Sequence, residues 1–351
     1  MSQPKIIVTG GAGYIGSHTA VELLNQGFSV VIVDDLSNSQ AEVLSGIEQI
    51  TGTRPELASF DLCDPRALAK FLDQHPDVQA VIHFAASKAV GESVANPLKY
   101  YRNNMFSLIN LLREMKQRGI SSFIFSSSCT VYGQPDQLPV TENTPVKPAE
   151  SPYGNTKQIA EEIIRDTVAA EEALQAISLR YFNPVGAHAS GLLGELPLGT
   201  PANLVPFITQ TAAGIRPQLR VFGDDYDTVD GSCVRDYIHV VDLAQAHIAA
   251  LNRLLQGQNQ ERYEHFNVGT GQGKTVLEVI QAFEQINNLS LNYEIAPRRP
   301  GDVEKIYADT TRANQTLGWH ADRSLEEMMR SAWQWQQNLM RDDFYLKVPV
   351  E

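Results

Sequence analysis

The sequence predicts an α/β fold: a doubly wound parallel sheet followed by a smaller mixed α/β lobe. Three observations carry this. Short apolar runs alternate with amphipathic segments through the first half of the chain. A glycine-rich turn joins the first run to the first amphipathic segment. Beyond Asn183-Pro184-Val185-Gly186 the texture changes, with frequent glycine and proline and scattered short strands. Residues 1–182 are therefore expected to form the sheet domain and 183–351 a substrate-binding lobe. At 351 residues and 43% hydrophobic content, the chain can bury a core without disulfide or metal staples.

In chain order, Ile6–Val8, Val30–Val33, Val78–Phe84, Phe123–Phe125 and Ala176–Leu179 are short, largely apolar runs. Such runs suit parallel strands covered on both faces. Ile15–Gln26 is the first intervening helix, and a later one carries Leu98, Tyr101, Met105, Leu108, Leu112 and Met115 at near-helical spacing. Alternation of this kind gives right-handed βαβ crossovers. Between Gly133 and Pro152 five prolines (135, 139, 145, 148 and 152) mark a long ordered loop, and a helix follows over Tyr153–Ala170. Farther on, Leu219–Phe222 and His265–Val268 are expected as isolated strands of the second lobe, with helices over Val240–Leu255, Val276–Ile286 and Leu325–Leu339.

Residues 9–16 read Thr-Gly-Gly-Ala-Gly-Tyr-Ile-Gly, between a strand and a helix. Gly10, Gly13 and Gly16 let the backbone turn tightly beside a pyrophosphate, while the helix start offers N–H donors and a positive dipole end. Asp34 ends the second strand, 18 residues after Gly16, where a carboxylate can accept bonds from the adenosine ribose. Asp35 follows with no neighbouring Arg for a 2′-phosphate, which favours NAD over NADP. A second glycine run, Gly-Thr-Gly-Gln-Gly-Lys-Thr at 269–275, imitates a nucleoside-triphosphate loop, but Val268 stands where that loop needs its first glycine, so a plain strand-to-helix turn is expected.

Tyr153 and Lys157 lie four apart at a helix start, hence on one face. An ammonium beside a phenol should favour the phenolate and lower a pKa that is ordinarily near ~10. Such a base is what alcohol oxidation needs as hydride leaves the carbon. Alone, the pair is commonly just a surface contact; its context is the strand end Phe125-Ser126-Ser127-Ser128 upstream of the helix.

Net charge is −13, which disfavours nucleic acid and anionic membrane surfaces as partners. Cys63, Cys129 and Cys233 are too scattered for a zinc site, and His83 and His239 have no spaced ligand group, so no metal is expected. His83, at the end of a buried strand, should be packed and hydrogen-bonded. The start Met1-Ser2-Gln3-Pro4-Lys5 lacks the pattern of a secretory signal, and no run approaches a membrane span, so a cytoplasmic location is expected.

The Gly-x-x-Gly-x-x-Gly spacing, the serine strand end and Tyr-x-x-x-Lys together resemble the extended short-chain dehydrogenase/reductase family. Within it, five stretches are similar to the UDP-galactose 4-epimerases: Thr9–His18, Val81–Ser93, Phe123–Gly133, Leu179–His188 and Val234–Leu243. Departures fall at Cys129, often Ala in that family, and Ser87, often Leu or Gly. The resemblance implies a Rossmann-type sheet, tightly held NAD, a UDP-sugar substrate and a homodimer. It assigns the catalytic roles to Tyr153, Lys157 and Ser128. It places Gly10, Gly13, Tyr14, Ile15, Gly16, Asp34, Asp35, Asn38, Asp61, Leu62, Phe84, Ala85, Lys88, Asn103, Tyr153, Lys157 and Phe182 around the cofactor. Around the nucleotide-sugar it places Ser128, Tyr153, Asn183, Asn203, Leu204, Phe222, Arg235, Arg299, Asp302 and Ile306.

The implied reaction oxidises C4 of the hexose, lets the keto sugar turn about its diphosphate link, and returns the hydride to the other face. Dehydratases of the same family carry a carboxylate after the serine; here Cys129 and Thr130 stand there. A non-catalytic NAD sensor would usually have lost Tyr153 or Lys157. The residue gating the sugar 2-substituent aligns with Ile306, or with Tyr307 if the register slips by one. The helices near 98–117 and 153–170 are either a dimer bundle or ordinary sheet cover.

Overall fold

The computed structural model describes residues 3–299, 303–341 and 343–346. In the first half the chain runs β1 (Lys5–Thr9), α1 (Tyr14–Asn25), β2 (Ser29–Val33), α2 (Val43–Thr51), β3 (Glu56–Ala58), α3 (Pro65–Asp73), β4 (Val78–His83), α4 (Val90–Ala95), α5 (Pro97–Arg118), β5 (Ser122–Ser126), α6 (Pro152–Ala170) and β6 (Gln175–Tyr181). The second half holds β7 (Asn183–Val185), α7 (Leu204–Ala212), β8 (Leu219–Phe222), β9 (Val234–His239), α8 (Val240–Leu255), β10 (Tyr263–Val268), β11 (Gly273–Thr275), α9 (Val276–Asn287), β12 (Tyr293–Ala296), β13 (Lys305–Ile306), α10 (Thr311–Leu317) and α11 (Leu325–Leu339).

Seven parallel strands form the main sheet in the order β10-β6-β5-β4-β1-β2-β3. The apolar runs make these strands because both faces are covered: one layer contains Ile6, Val8, Ile32 and Ile82, the other Ile7, Val31, Val81 and Phe123, all buried. Strand order reverses between β1 and β4, so the crevice for a ligand opens at their carboxyl ends.

One expectation is corrected. His265–Val268 is not an isolated strand of the second lobe; it is the core of β10, which pairs with β6 from Tyr263↔Ala176 to Val268↔Tyr181. The chain leaves the main sheet at residue 182 and then returns to it, with α8 packed on α1. Phe266 and Val268 join the core cluster of Ile6 and Ile32, and that burial decides the partner. The smaller part proper is built from β7, β9, β11 and β13, the β8–β12 pair and α7, α9 and α11. The proline-rich segment from Gly133 to Ser151 contains neither helix nor strand; Val140 ties it down by bonding Tyr307 and Asp309.

Candidate active site

The glycine turn opens α1 at the carboxyl end of β1. Gly10 has φ +67°, and a side chain there would strike Ala85 N at 2.8 Å. A Cβ on Gly16 would lie 2.3 Å from Gly10 O, so only glycine lets α1 start this close to the turn. Asp34 locks the arrangement: its carboxylate accepts from Ala12 N at 3.0 Å, Leu36 N at 3.0 Å and Ser39 Oγ at 2.8 Å. Burial raises the Asp34 pKa, and the three donors oppose that rise.

Above the turn lies a cavity of about 1550 Å³ between the main sheet and the smaller part. Its walls include Gly10, Gly13, Tyr14, Ile15, Gly16, Asp34, Asp35, Asn38, Asp61, Leu62, Phe84, Ala85, Lys88 and Asn103. They also include Tyr153, Lys157, Asn183, Asn203, Leu204, Phe222, Arg235, Arg299 and Ile306. Ser128 is 7% exposed and accepts from Thr130 N at 3.2 Å, with its hydroxyl near enough to Tyr153 to pull that phenol's pKa down. Phe182 does not face the cavity; it packs beneath it with Cys129, Tyr132 and Ile306. Asp302 lies outside the described residues.

Tyr153 projects from the first turn of α6, whose start Ser151 caps by accepting from Gly154 N at 3.1 Å. Lys157, one turn on, places Nζ 5.9 Å from the Tyr153 ring centroid and donates to Ser126 O at 2.7 Å. The Tyr153 pKa is not lowered as expected: burial drives it upward, Tyr181 adds to the rise, and only the nearby Ser128 hydroxyl opposes it. Burial also lowers the Lys157 pKa to about 8, against the pull of Glu161.

Residues without a sequence signature complete the site. Glu161 forms a buried fork with Arg180, Oε2 to Nη2 at 2.6 Å, and accepts from Ser127 Oγ at 2.5 Å. Arg180 also donates to Tyr132 OH, which in turn donates to Asn267 Oδ1 at 2.6 Å. Ser126, Cys129, Tyr181 and Glu195 face the cavity too. Their partners are far away in sequence, so no local pattern marked them.

The two residues expected as alternatives for the gating position lie differently. Ile306 is 5% exposed and faces the cavity, whereas the Tyr307 ring lies over Gly273 on β11. The imitation phosphate loop is filled from within: Thr270 N and Gly271 N donate to the buried Asp236 carboxylate at 2.8 and 3.0 Å, and Ala308 N joins them at 3.1 Å. His83 bonds Thr9 Oγ1 through Nδ1 at 2.7 Å, as expected of a packed strand-end histidine. His239 accepts from Val241 N at the start of α8.

A glycine turn under a switch-point cavity, an acidic second-strand end and a Ser–Tyr–Lys cluster define the class: an extended short-chain dehydrogenase/reductase. The family model described as GDP-mannose 4,6 dehydratase matches residues 7–332. A UDP-glucose 4-epimerase of Haemophilus influenzae is 50% identical over 333 residues, 95% of this chain and 97% of that one. The one from Bacillus subtilis is 50% identical over 331 residues, 94% of this chain and 96% of that one. The crystal structure of UDP-glucose 4-epimerase from Bifidobacterium longum, in complex with NAD+ and UDP, superposes with a TM-score of 0.91 at 46% identity, covering 95% of this chain and 98% of that one. The chain belongs to the UDP-glucose 4-epimerase family.

Proposed function

We propose that the chain interconverts UDP-glucose and UDP-galactose by epimerisation at C4, with NAD as a resident group. The observation that carries this reading is the meeting of Tyr153 and Lys157, with Ser128 beside the phenol, on a cavity that the glycine turn also lines. The cavity fits a dinucleotide: Gly10 and Gly16 leave the backbone bare, and Asp34 and Asp35 stand where ribose hydroxyls would be held. When bound, NAD supplies the hydride acceptor for C4 oxidation, the donor for its reversal, and a positive charge.

Tyr153 takes the proton from the 4-hydroxyl and returns it at the end of the cycle. Ser128, beside the phenol, hydrogen-bonds the same hydroxyl. Lys157 anchors the strand end at Ser126 and adds cationic character that favours the phenolate once a second positive charge is present. Arg235 and Arg299 face the cavity and suit a diphosphate. Asn183, Asn203, Leu204, Phe222 and Ile306 complete the nucleotide-sugar end; Asp61, Leu62, Phe84, Ala85, Lys88 and Asn103 complete the cofactor end. Cys129 and Thr130 offer no carboxylate for dehydration, so the dehydratase description of the family model does not set the reaction.

A homodimer through α5 and α6 belongs to the same proposal. Both helices cover one face of the sheet, yet Phe106 and Ile109 on α5 remain 51% and 44% exposed. No helix among the described residues is long and apolar enough to cross a membrane, and all three cysteines are free, which suits a cytoplasmic location.

The test is purified protein incubated with UDP-galactose without added NAD. Bound NAD and UDP-glucose formation are expected. Tyr153→Phe should keep the NAD and lose about 10²–10⁴-fold in turnover. Near-normal turnover of that variant would assign the base elsewhere.

A further inference from the structure

Glu195 sits on the loop between β7 and α7, and nothing in its local sequence marks it. Its side chain is 12% exposed and faces the cavity. One carboxylate oxygen, Oε1, accepts from Asn203 Nδ2 at 2.7 Å and from Lys88 Nζ at 3.3 Å. Lys88 follows β4 in the main sheet, whereas Asn203 begins α7 in the smaller part. The Glu195 backbone is fixed separately, its carbonyl accepting from the buried Trp335 Nε1 at 2.9 Å. Glu195 also adds a negative field at Tyr14, whose hydroxyl donates to Gly186 O at 2.6 Å.

A carboxylate facing a cavity meant for two diphosphate-bearing ligands is electrostatically unfavourable for their binding unless it performs a service. Here the service is geometric. Lys88 and Asn203 are polar side chains on opposite banks of the cleft, and their shared acceptor is held by a tryptophan in the core.

We propose that Glu195 is a positioning residue that couples the two ends of the site: it holds Lys88 toward the cofactor and Asn203 toward the nucleotide-sugar with one oxygen. The inference rests on the NAD and UDP-sugar reading above. A purely local role in the β7–α7 loop would affect Asn203 and UDP alone. A shared acceptor must affect both ligands, because releasing it frees a side chain on each bank.

The experiment uses the full-length holoenzyme and two readouts independent of turnover: the rate at which NAD is lost on dilution and gel filtration, and UDP affinity by calorimetry. Glu195→Gln removes the charge and keeps the shape. It should speed NAD loss and weaken UDP binding, each by about tenfold, the size of one charge-assisted hydrogen bond. Glu195→Asp, which keeps the charge but shortens the reach, should show smaller changes in both readouts and guards against a misfolded Gln variant. If either readout stays at the wild-type value in Glu195→Gln, or if Glu195→Asp is as impaired as Glu195→Gln, the coupling role is overturned. A wild-type protein without NAD would instead sink the functional reading itself.

Discussion

Ile306 stands on the cavity wall beside Arg235, its partner in the β13–β9 pairing, and packs on Phe182 and Cys129. A branched aliphatic chain at this point leaves little room for an acetamide and offers it no hydrogen bond. Overpacking costs about 1–3 kcal/mol, roughly ten- to a hundredfold when felt in the transition state. UDP-galactose and UDP-glucose should therefore be preferred over their N-acetyl counterparts without excluding them. Ile306→Gly should raise kcat/KM for UDP-N-acetylgalactosamine relative to UDP-galactose; an unchanged ratio would move the gate to another residue. Residue assignments were legible where the partners are close in the chain. Gly10 to Gly16, and Tyr153 with Lys157, each lie within a few positions, so spacing alone carries the geometry. Glu195 was not legible, because its partners are Lys88, Asn203 and Trp335. The Tyr153 pKa was misjudged because spacing reveals a neighbouring charge but not the burial that outweighs it.

Among the elements, α5 poses the clearest question. Its buried face carries Leu108, Leu111, Leu112 and Met115 against the sheet, and it touches α6 through Asn104 Nδ2 to Thr156 Oγ1 at 3.0 Å. That uses one stripe, while Phe106 and Ile109 face outward. An apolar stripe on the far side of a sheet-covering helix suits the dimer proposed above. Phe106→Glu should convert a dimer into a monomer in sedimentation velocity with the circular dichroism spectrum unchanged; a wild-type protein that sediments as a monomer would remove the dimer. Strand-helix alternation was legible from period and run length, since β1, β2, β4, β5 and β6 each carry a short, largely apolar run. The pairing of β10 was not: a short strand's composition states that it will be buried, not beside which neighbour.

At the scale of the molecule, buried histidines set a pH limit. Burial lowers His83 and His239 to about 3, and His18 and His247 to about 4, from an ordinary 6.5. The unfolded chain then takes up protons that the folded one refuses as pH drops below the ordinary value. Stability is complete above that value and is lost progressively toward the folded values. Thermal midpoints should hold between about pH 8 and pH 7 and fall steadily between about pH 6 and pH 4.5. His247, packed between Phe84 and Tyr181 with Nε2 unpartnered, should be a main contributor. His247→Phe should flatten the acid limb, and an equally steep limb in that variant would shift the cause to other groups.

The return of the chain to the main sheet has a consequence for how the protein is made. On the ribosome β6 emerges well before β10, and at about 5–20 residues per second the gap lasts several seconds. Throughout that interval β6, which pairs with β5 on one side, has its other edge bare. A bare parallel edge is open to pairing with another nascent chain. The half of the sequence with the clearest dinucleotide signature thus cannot finish its own sheet, and biosynthesis of the whole chain depends on keeping that edge unoccupied until Tyr263–Val268 arrives.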